Sequence, residues 1–371
     1  MALSCEIHTA YIYDKGGRHQ VALIEPLFRI KWERRRDDVS AAMVYIATPT
    51  DACANHFGMI HAGRHELVVF RGKKRVWEGP IVRIAYKGKA IEIEAHDVMH
   101  YAVRTIMHNE YDDRYPNNGP VMERISRILV GELSRKEALD PPINVLAHVQ
   151  YIWATPPAED AGTAAHTQPY ELTVFQHIDQ YAARGGLDYT VVGRSIIFFD
   201  VHTKIGQTAM VTKDDFIGDP VITEYGMELG TYVAMTDGEG NWGAAGGVDP
   251  YYGEHELLFQ AYDESSQNKD NPEDPPTVAE LTSQAVRSHN QSKLPPMVVR
   301  IPDNTRLNPN GVLSMEDLVP GIHIPLTAAL PGRTLSQMQK LDSMSVEETA
   351  GSGEVIKVTL SPAIYESFVE E

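Results

Sequence analysis

The closest approach to a reactive constellation in this chain is Cys53, His56, His61 and His65. Two, four and three residues intervene, a spacing that superficially resembles a zinc site, because thiolate and imidazole are the ligands tetrahedral zinc selects. The second cysteine of such a motif is missing and the stretch runs from loop into strand, so ordinary loop histidines are expected there. His65-Glu66 and His255-Glu256 lack the second histidine that a metalloprotease helix places three residues further on, and both pairs fall on expected strands. The glycines from Gly238 to Gly253 are not followed by Lys-Ser/Thr, and no GxGxxG follows a strand and opens a helix, which argues against a phosphate cradle. No serine sits in GxSxG, and carboxylate pairs such as Asp112/Asp113 or Asp214/Asp215 are too common to signal glycoside hydrolysis. No motif names a reaction. Neither metal nor cofactor is expected, and a structural, non-enzymatic protein is the reading.

The bulk properties agree. A chain of 371 residues can bury two or three cores. No stretch approaches eighteen uncharged apolar residues, so no membrane span is expected, and the first residues lack a cationic region followed by an apolar one, so no secretion signal is expected. Two cysteines, Cys5 and Cys53, do not make a disulfide framework. A net charge of -18 disfavours a sequence-independent grip on nucleic acid or anionic lipid, but does not forbid a surface past which nucleic acid slides.

The elements that would carry any site are strands. From Glu66 to Asp97 three antiparallel strands follow one another: Leu67–Phe70, then Val76–Tyr86 with a bulge near an edge at Gly79-Pro80, then Ile91–His96 with alternating wet and apolar residues. Asp97 is placed to cap a helix whose stripe is Val98, Tyr101, Ala102 and Ile106. Earlier strands near residues 5–13, 21–30 and 39–48 complete a small barrel. Arg34-Arg35-Arg36 beside two Asp reads as a charged loop, either a solvated hairpin tip or a docking knob. Arg71, Lys73, Lys74 and Arg75 make a basic face around a turn, a candidate interface for an acidic partner. The middle is α+β: helices near 120–138 and 172–183, then strands 187–192 and 195–201. Strands return from residue 221, interrupted by a glycine-rich loop whose Trp242, Tyr251 and Tyr252 are candidates for a subunit interface, by an exposed acidic connection at 263–277, and by a short helix at 278–285. The expected class is mainly β with an α+β insert: a first barrel at 1–108, a middle region at 109–217 and a second barrel at 218–371.

Four stretches in this order resemble a known family. They are VWEGPIVRIAYKGKAIEIEAHDVMHYAVRT (76–105), ELTVFQHIDQYAARGGLDYTVVGRSIIFFD (171–200), GDPVITEYGMELGTYVAMTDGEGNWGAAGGVDPYYG (218–253) and MVVRIPDNTRLNPNGVLSMEDLVPGIHIPL (297–326). Together they are similar to the tail hub, or minor tail, proteins of long-tailed actinobacteriophages, themselves similar to the baseplate hub of contractile-tailed phages. The resemblance implies two similar β-barrels around mixed middle domains and a homotrimer whose barrels form a pseudo-six-fold ring. That ring would dock on the distal tail protein, meet the tape measure protein and other tail tip or fibre proteins, and pass the genome during ejection without binding it specifically. The implied location is the tail tip of the virion, after assembly in the host cytoplasm. Since the chain stops at Glu371, soon after its last expected strand, a spike, hydrolase or receptor binder is expected from another protein. The alternatives are a tail-tip enzyme that degrades cell wall and a receptor-binding module.

Overall fold

The computed structural model describes residues 8–48, 50, 55, 57–109, 121–137, 150–155, 169–184, 187–200, 204–218, 220–224, 226–238, 240–260, 278–293, 297–302 and 305–363. Cys5, Cys53, His56 and the acidic connection at 263–277 lie outside them. The chain forms two compact units, one built mainly from Met1–Asp219 with Ile301–Thr327 and Met338–Tyr365, the other mainly from Pro220–Arg300 with Ala328–Gln337.

The first unit begins with seven strands: β1 (His8–Asp14), β2 (Gln20–Leu23), β3 (Leu27–Arg35), β4 (Ala41–Ala47), β5 (His65–Arg71), β6 (Lys74–Lys87) and β7 (Ala90–His96). They pair antiparallel in the order β3-β4-β7-β6-β5-β1-β2. Alternation does the sorting: Ala42, Val44 and Ile46 of β4 point into the core with Ile30 and Trp32 of β3, while Met43 and Tyr45 are half-buried and Lys31 is exposed. Leu67, Val68 and Val69 of β5 are all fully buried, as their unbroken apolar run predicts. Gly79-Pro80 is not near an edge, for β6 lies between β5 and β7. Gly79 is glycine because a Cβ there would come 1.9 Å from the His96 carbonyl oxygen.

The short helix α1 (His100–Val103) follows. Asp97 prepares it, accepting from the Met99 amide at 2.9 Å and the Ser40 amide at 2.6 Å. Ile106 falls beyond this helix and is exposed, so it drops out of the expected stripe. Helix α2 (Val121–Glu137), strand β8 (Gln150–Thr155), helix α3 (Val174–Arg184) and strands β9 (Leu187–Val192) and β10 (Ser195–Asp200) form the α+β insert. Its three-stranded sheet runs β8-β10-β9, with β8 parallel to β10. Val98, Tyr101, Ile125, Leu129, Ile178 and Phe198 share one core. Strands β11 (Val211–Thr212) and β12 (Phe216–Ile217) close this part of the chain.

The second unit holds β13 (Val221–Glu224), β14 (Tyr232–Thr236), β15 (Trp242–Gly246), β16 (Glu256–Gln260), helix α4 (Val278–Ser292) and β17 (Met297–Arg300). β15 is antiparallel to β14, β16 is parallel to it, and β13 pairs with β17. The glycine-rich stretch expected to be all loop therefore contains a strand. Its glycines make room for α4, because a Cβ on Gly243 would sit 2.3 Å from the Thr282 amide nitrogen. Leu281 and Ala285 of α4 are fully buried, with Val233 of β14.

The chain ends with β18 (Arg306–Leu307), β19 (His323–Leu330), β20 (Arg333–Thr349) and β21 (Gly353–Pro362). β20 pairs with β21 and, from Ser343↔Arg35 to Thr349↔Arg29, with β3. One continuous sheet thus carries the N-terminal meander and the C-terminal strands, in the order β12-β18-β21-β20-β3-β4-β7-β6-β5-β1-β2, with β11 and β19 attached. The protein is mainly β with an α+β insert. Among the described residues no helix is long and apolar enough to cross a membrane.

Candidate interaction surfaces

The basic face sits on the β5–β6 hairpin, turned by Gly72 at φ 58°. Its cations are mostly engaged within the chain. Arg71 grips Glu354 of β21 through two hydrogen bonds, Nε to Oε2 at 2.8 Å and Nη2 to Oε1 at 3.0 Å. This bonding holds the guanidinium above its usual pKa. Lys74 Nζ reaches Glu316 at 3.3 Å. Arg75 binds Glu78 at 3.1 Å and the Gly17 carbonyl at 3.2 Å, and lies over the Tyr13 ring. Among the described residues Lys73 alone of the four has no carboxylate partner. The hairpin thus presents an acidic neighbour with one unpaired ammonium.

Arg34-Arg35-Arg36 is not a solvated loop. Arg34, next to last in β3, faces inward at 6% exposure, donating to the Val76 carbonyl at 2.9 Å and the Leu318 carbonyl at 3.3 Å, with its guanidinium over Trp32. Burial brings its pKa down to about 10, with Glu316 pulling the other way. Arg35 is the outward member, paired with Glu33 at 3.0 Å and Asp38 at 3.1 Å. Arg36 reaches Asp188 of β9 at 2.8 Å and Asp342 of β20 at 2.6 Å, while Lys340 also donates to Asp188. Asp37, at φ 56°, exchanges two backbone-level bonds with Tyr189: its amide donates to the Tyr189 carbonyl at 2.9 Å and its carboxylate accepts from the Tyr189 amide at 2.8 Å. Burial and the neighbouring Asp188 push the Asp37 carboxyl up to about 7. The charged run is a junction between the large sheet and the insert.

A second buried junction carries no signal in the sequence. Arg194, in the β9–β10 turn, donates to Glu66 at 2.6 Å and lies 3.3 Å from Glu78. Glu66 is fully buried and also accepts from the Gly16 amide at 2.8 Å and from the Tyr101 hydroxyl. Burial raises the Glu78 and Tyr101 pKa values. Gly17 must be glycine here, with φ 65° and a would-be Cβ 3.0 Å from Arg194 Nη1. Of the four residues with zinc-like spacing the structure describes His61 and His65, which stack on each other; the His61 amide donates to His65 Nδ1 at 2.9 Å.

In the second unit the aromatic candidates lie open. Pairing places Trp242, Ala244, Ala234 and Leu258 on one face of the β15-β14-β16 sheet, opposite the face that packs on α4. Trp242 is 60% exposed and Leu258 73%. Tyr251 is 87% exposed and meets the half-buried Tyr252 edge-on, with ring centroids 4.9 Å apart. Asp249 fixes this turn by accepting from the Tyr251 and Tyr252 amides at 2.7 and 2.8 Å. Exposed aromatic and aliphatic side chains on an uncovered face are what an association surface offers.

No protein-family model matches the chain, and no curated protein matches it. Solved structures do. The chain is similar to the 43 kDa tail protein of prophage MuSo2 from Shewanella oneidensis, with 12% identity over 96% of this chain and 98% of that one and a TM-score of 0.60. It is similar to the tail protein from Neisseria meningitidis MC58, at 11% identity over 96% of both chains and a TM-score of 0.54. It also matches a chain of the Francisella PdpA–VgrG complex in its half-lidded form, at 8% identity and a TM-score of 0.52, covering all of this chain and 60% of that one. What is shared at such identities is the fold: this chain has the architecture of phage tail proteins.

Proposed function

We propose that this protein is a structural component of a phage tail tip, a hub that assembles as a homotrimeric ring. In this reading the ring docks on the distal tail protein, meets the tape measure protein and other tip or fibre proteins, and passes the genome on ejection without gripping it. It works without catalysis or cofactor, in the virion, after assembly in the host cytoplasm. The observation that carries the reading is the end-to-end match with the Shewanella tail protein, 96% of one chain on 98% of the other. The net charge of -18 supports a lumen that does not retain DNA, and the uncovered face around Trp242 supports self-association. Light scattering across a concentration series tests it: the expected mass is three times 41.3 kDa. A monomer at every concentration that also clears host peptidoglycan in a zymogram would overturn it in favour of a tail-tip enzyme.

A further inference from the structure

A cavity of about 710 Å³ opens in the first unit beside β6, α1 and the end of α2, a volume that suits a small organic ligand. Lys15, Arg104 and Lys136 face it together with His100, over a floor that includes Pro80, Ile81 and Tyr101. In a chain of net charge -18, three cations on one cavity are a local reversal of sign.

The surrounding carboxylates among the described residues are already committed. Glu66 holds Arg194, Tyr101 and the Gly16 amide. Glu132 accepts from the His108 and Asn109 amides and from Arg135. Asp14 holds Arg64 at 2.8 Å. Among the described residues none of the three lining cations meets a carboxylate; Lys136 Nζ donates to the Arg104 carbonyl at 2.9 Å. Burial, then Arg135, Lys15 and Arg104, bring Lys136 down to about 8, against the pull of Glu132. Burial and Arg64 lower Lys15, opposed by Glu66. His100 is kept neutral, its pKa held near 4 by burial and by His96. Among the described residues the positive charge is therefore unmet, and it belongs to Lys15, Arg104 and Lys136.

We propose that this cavity binds a small organic dianion of the phosphate monoester class. A carboxylate brings one charge and would leave two cations unmet. A phosphate monoester brings nearly two charges and three acceptor oxygens, which two ammonium groups and a guanidinium can share. The Pro80, Ile81 and Tyr101 floor takes the apolar part of the molecule. The site is independent of the tail-hub reading.

Isothermal titration of the native protein at low salt, where charge is least screened, compares phenyl phosphate, inorganic phosphate and benzoate. Phenyl phosphate is expected to bind most tightly, inorganic phosphate more weakly for want of the floor contact, and benzoate about tenfold more weakly than phenyl phosphate. Lys15→Gln and Arg104→Gln, each checked for an unchanged melting temperature, should each weaken phenyl phosphate about tenfold. No binding of phenyl phosphate to the native chain would overturn the proposal. So would benzoate binding equally well, binding unchanged in the Lys15→Gln/Arg104→Gln double variant, or binding of an acidic peptide in place of phenyl phosphate.

Discussion

The two units use their conspicuous side chains in opposite ways. In the first, most of the arginines that stand out in the sequence are engaged within the fold. Arg34, Arg36, Arg71 and Arg75 join β3, β6, β9, β20 and β21 by hydrogen bonds and ion pairs, and Arg194 closes a buried knot with Glu66 and Glu78. In the second, Trp242, Tyr251 and Leu258 are left in water, on the sheet face opposite α4 and in the turn that follows β15. A run of charges in sequence therefore marks an internal joint here, and isolated aromatics among glycines mark the open surface. The physical basis is the cost of an unpaired buried charge, which is heavy enough to dictate where its partner must be. An exposed apolar side chain costs a folded monomer little and becomes favourable when a partner covers it.

That contrast can be broken most directly at Arg194. Arg194→Ala leaves the fully buried Glu66 without its cation, while Glu78 keeps Arg75, and should cost about 3–5 kcal/mol in urea-induced unfolding. A loss below about 1 kcal/mol would mean that water reaches the knot. The next effect belongs to the second unit. Trp242→Ala together with Leu258→Ser should cut self-association by at least about thirtyfold, equivalent to about 2 kcal/mol at an interface centre, while the melting temperature of the dissociated chain stays constant. Unchanged association would move the interface elsewhere.

A subtler test concerns Asp97, which is fully buried and whose burial lifts its carboxyl to about 7 despite the Ser40 and Met99 amides. Its folded pKa is raised above the unfolded value near 3.8, so the folded state holds a proton that the unfolded chain has released. Asp97 therefore stabilises the fold below pH 4, and this contribution is lost as pH rises towards 7. Asp97→Asn should remove that part of the slope, seen as melting curves whose separation from the native protein shrinks between pH 4 and pH 7. A constant separation would show a normal carboxylate. The smallest effect is expected at Lys73, where Lys73→Glu should change stability by no more than about 0.5 kcal/mol, in contrast to the paired Arg71 two residues before it. A larger loss would show that the hairpin turn is held by charge after all.

Much of this architecture was legible before any coordinates. The β5-β6-β7 meander was readable because neighbouring strands pair with neighbours and one face alternates, so local pattern is enough. The α2 stripe through Ile125, Ile128 and Leu129 was readable for the same reason at helical period, and those residues are buried in the insert core. The exposed aromatics were singled out by type alone. β20 was not legible: its apolar residues Leu335, Met338, Leu341 and Met344 fall three apart, which fits no strand period. A register shift between Leu341 and Ser343 resets the phase, so that Leu341, Met344 and Val346 are all buried.

What the chain determined by itself is therefore everything with a short repeat: the strands with clean alternation, the helix faces, the mainly β class and the lack of any recognisable catalytic motif. Only the tertiary structure decided that β3 pairs with β20, that Arg36 belongs to Asp188 and Asp342, and that Arg194 belongs to Glu66 across 128 residues. The reason is that periodicity is written into successive side chains, whereas the partner of an edge strand or of a buried charge is chosen by which distant segment the fold brings within hydrogen-bonding reach.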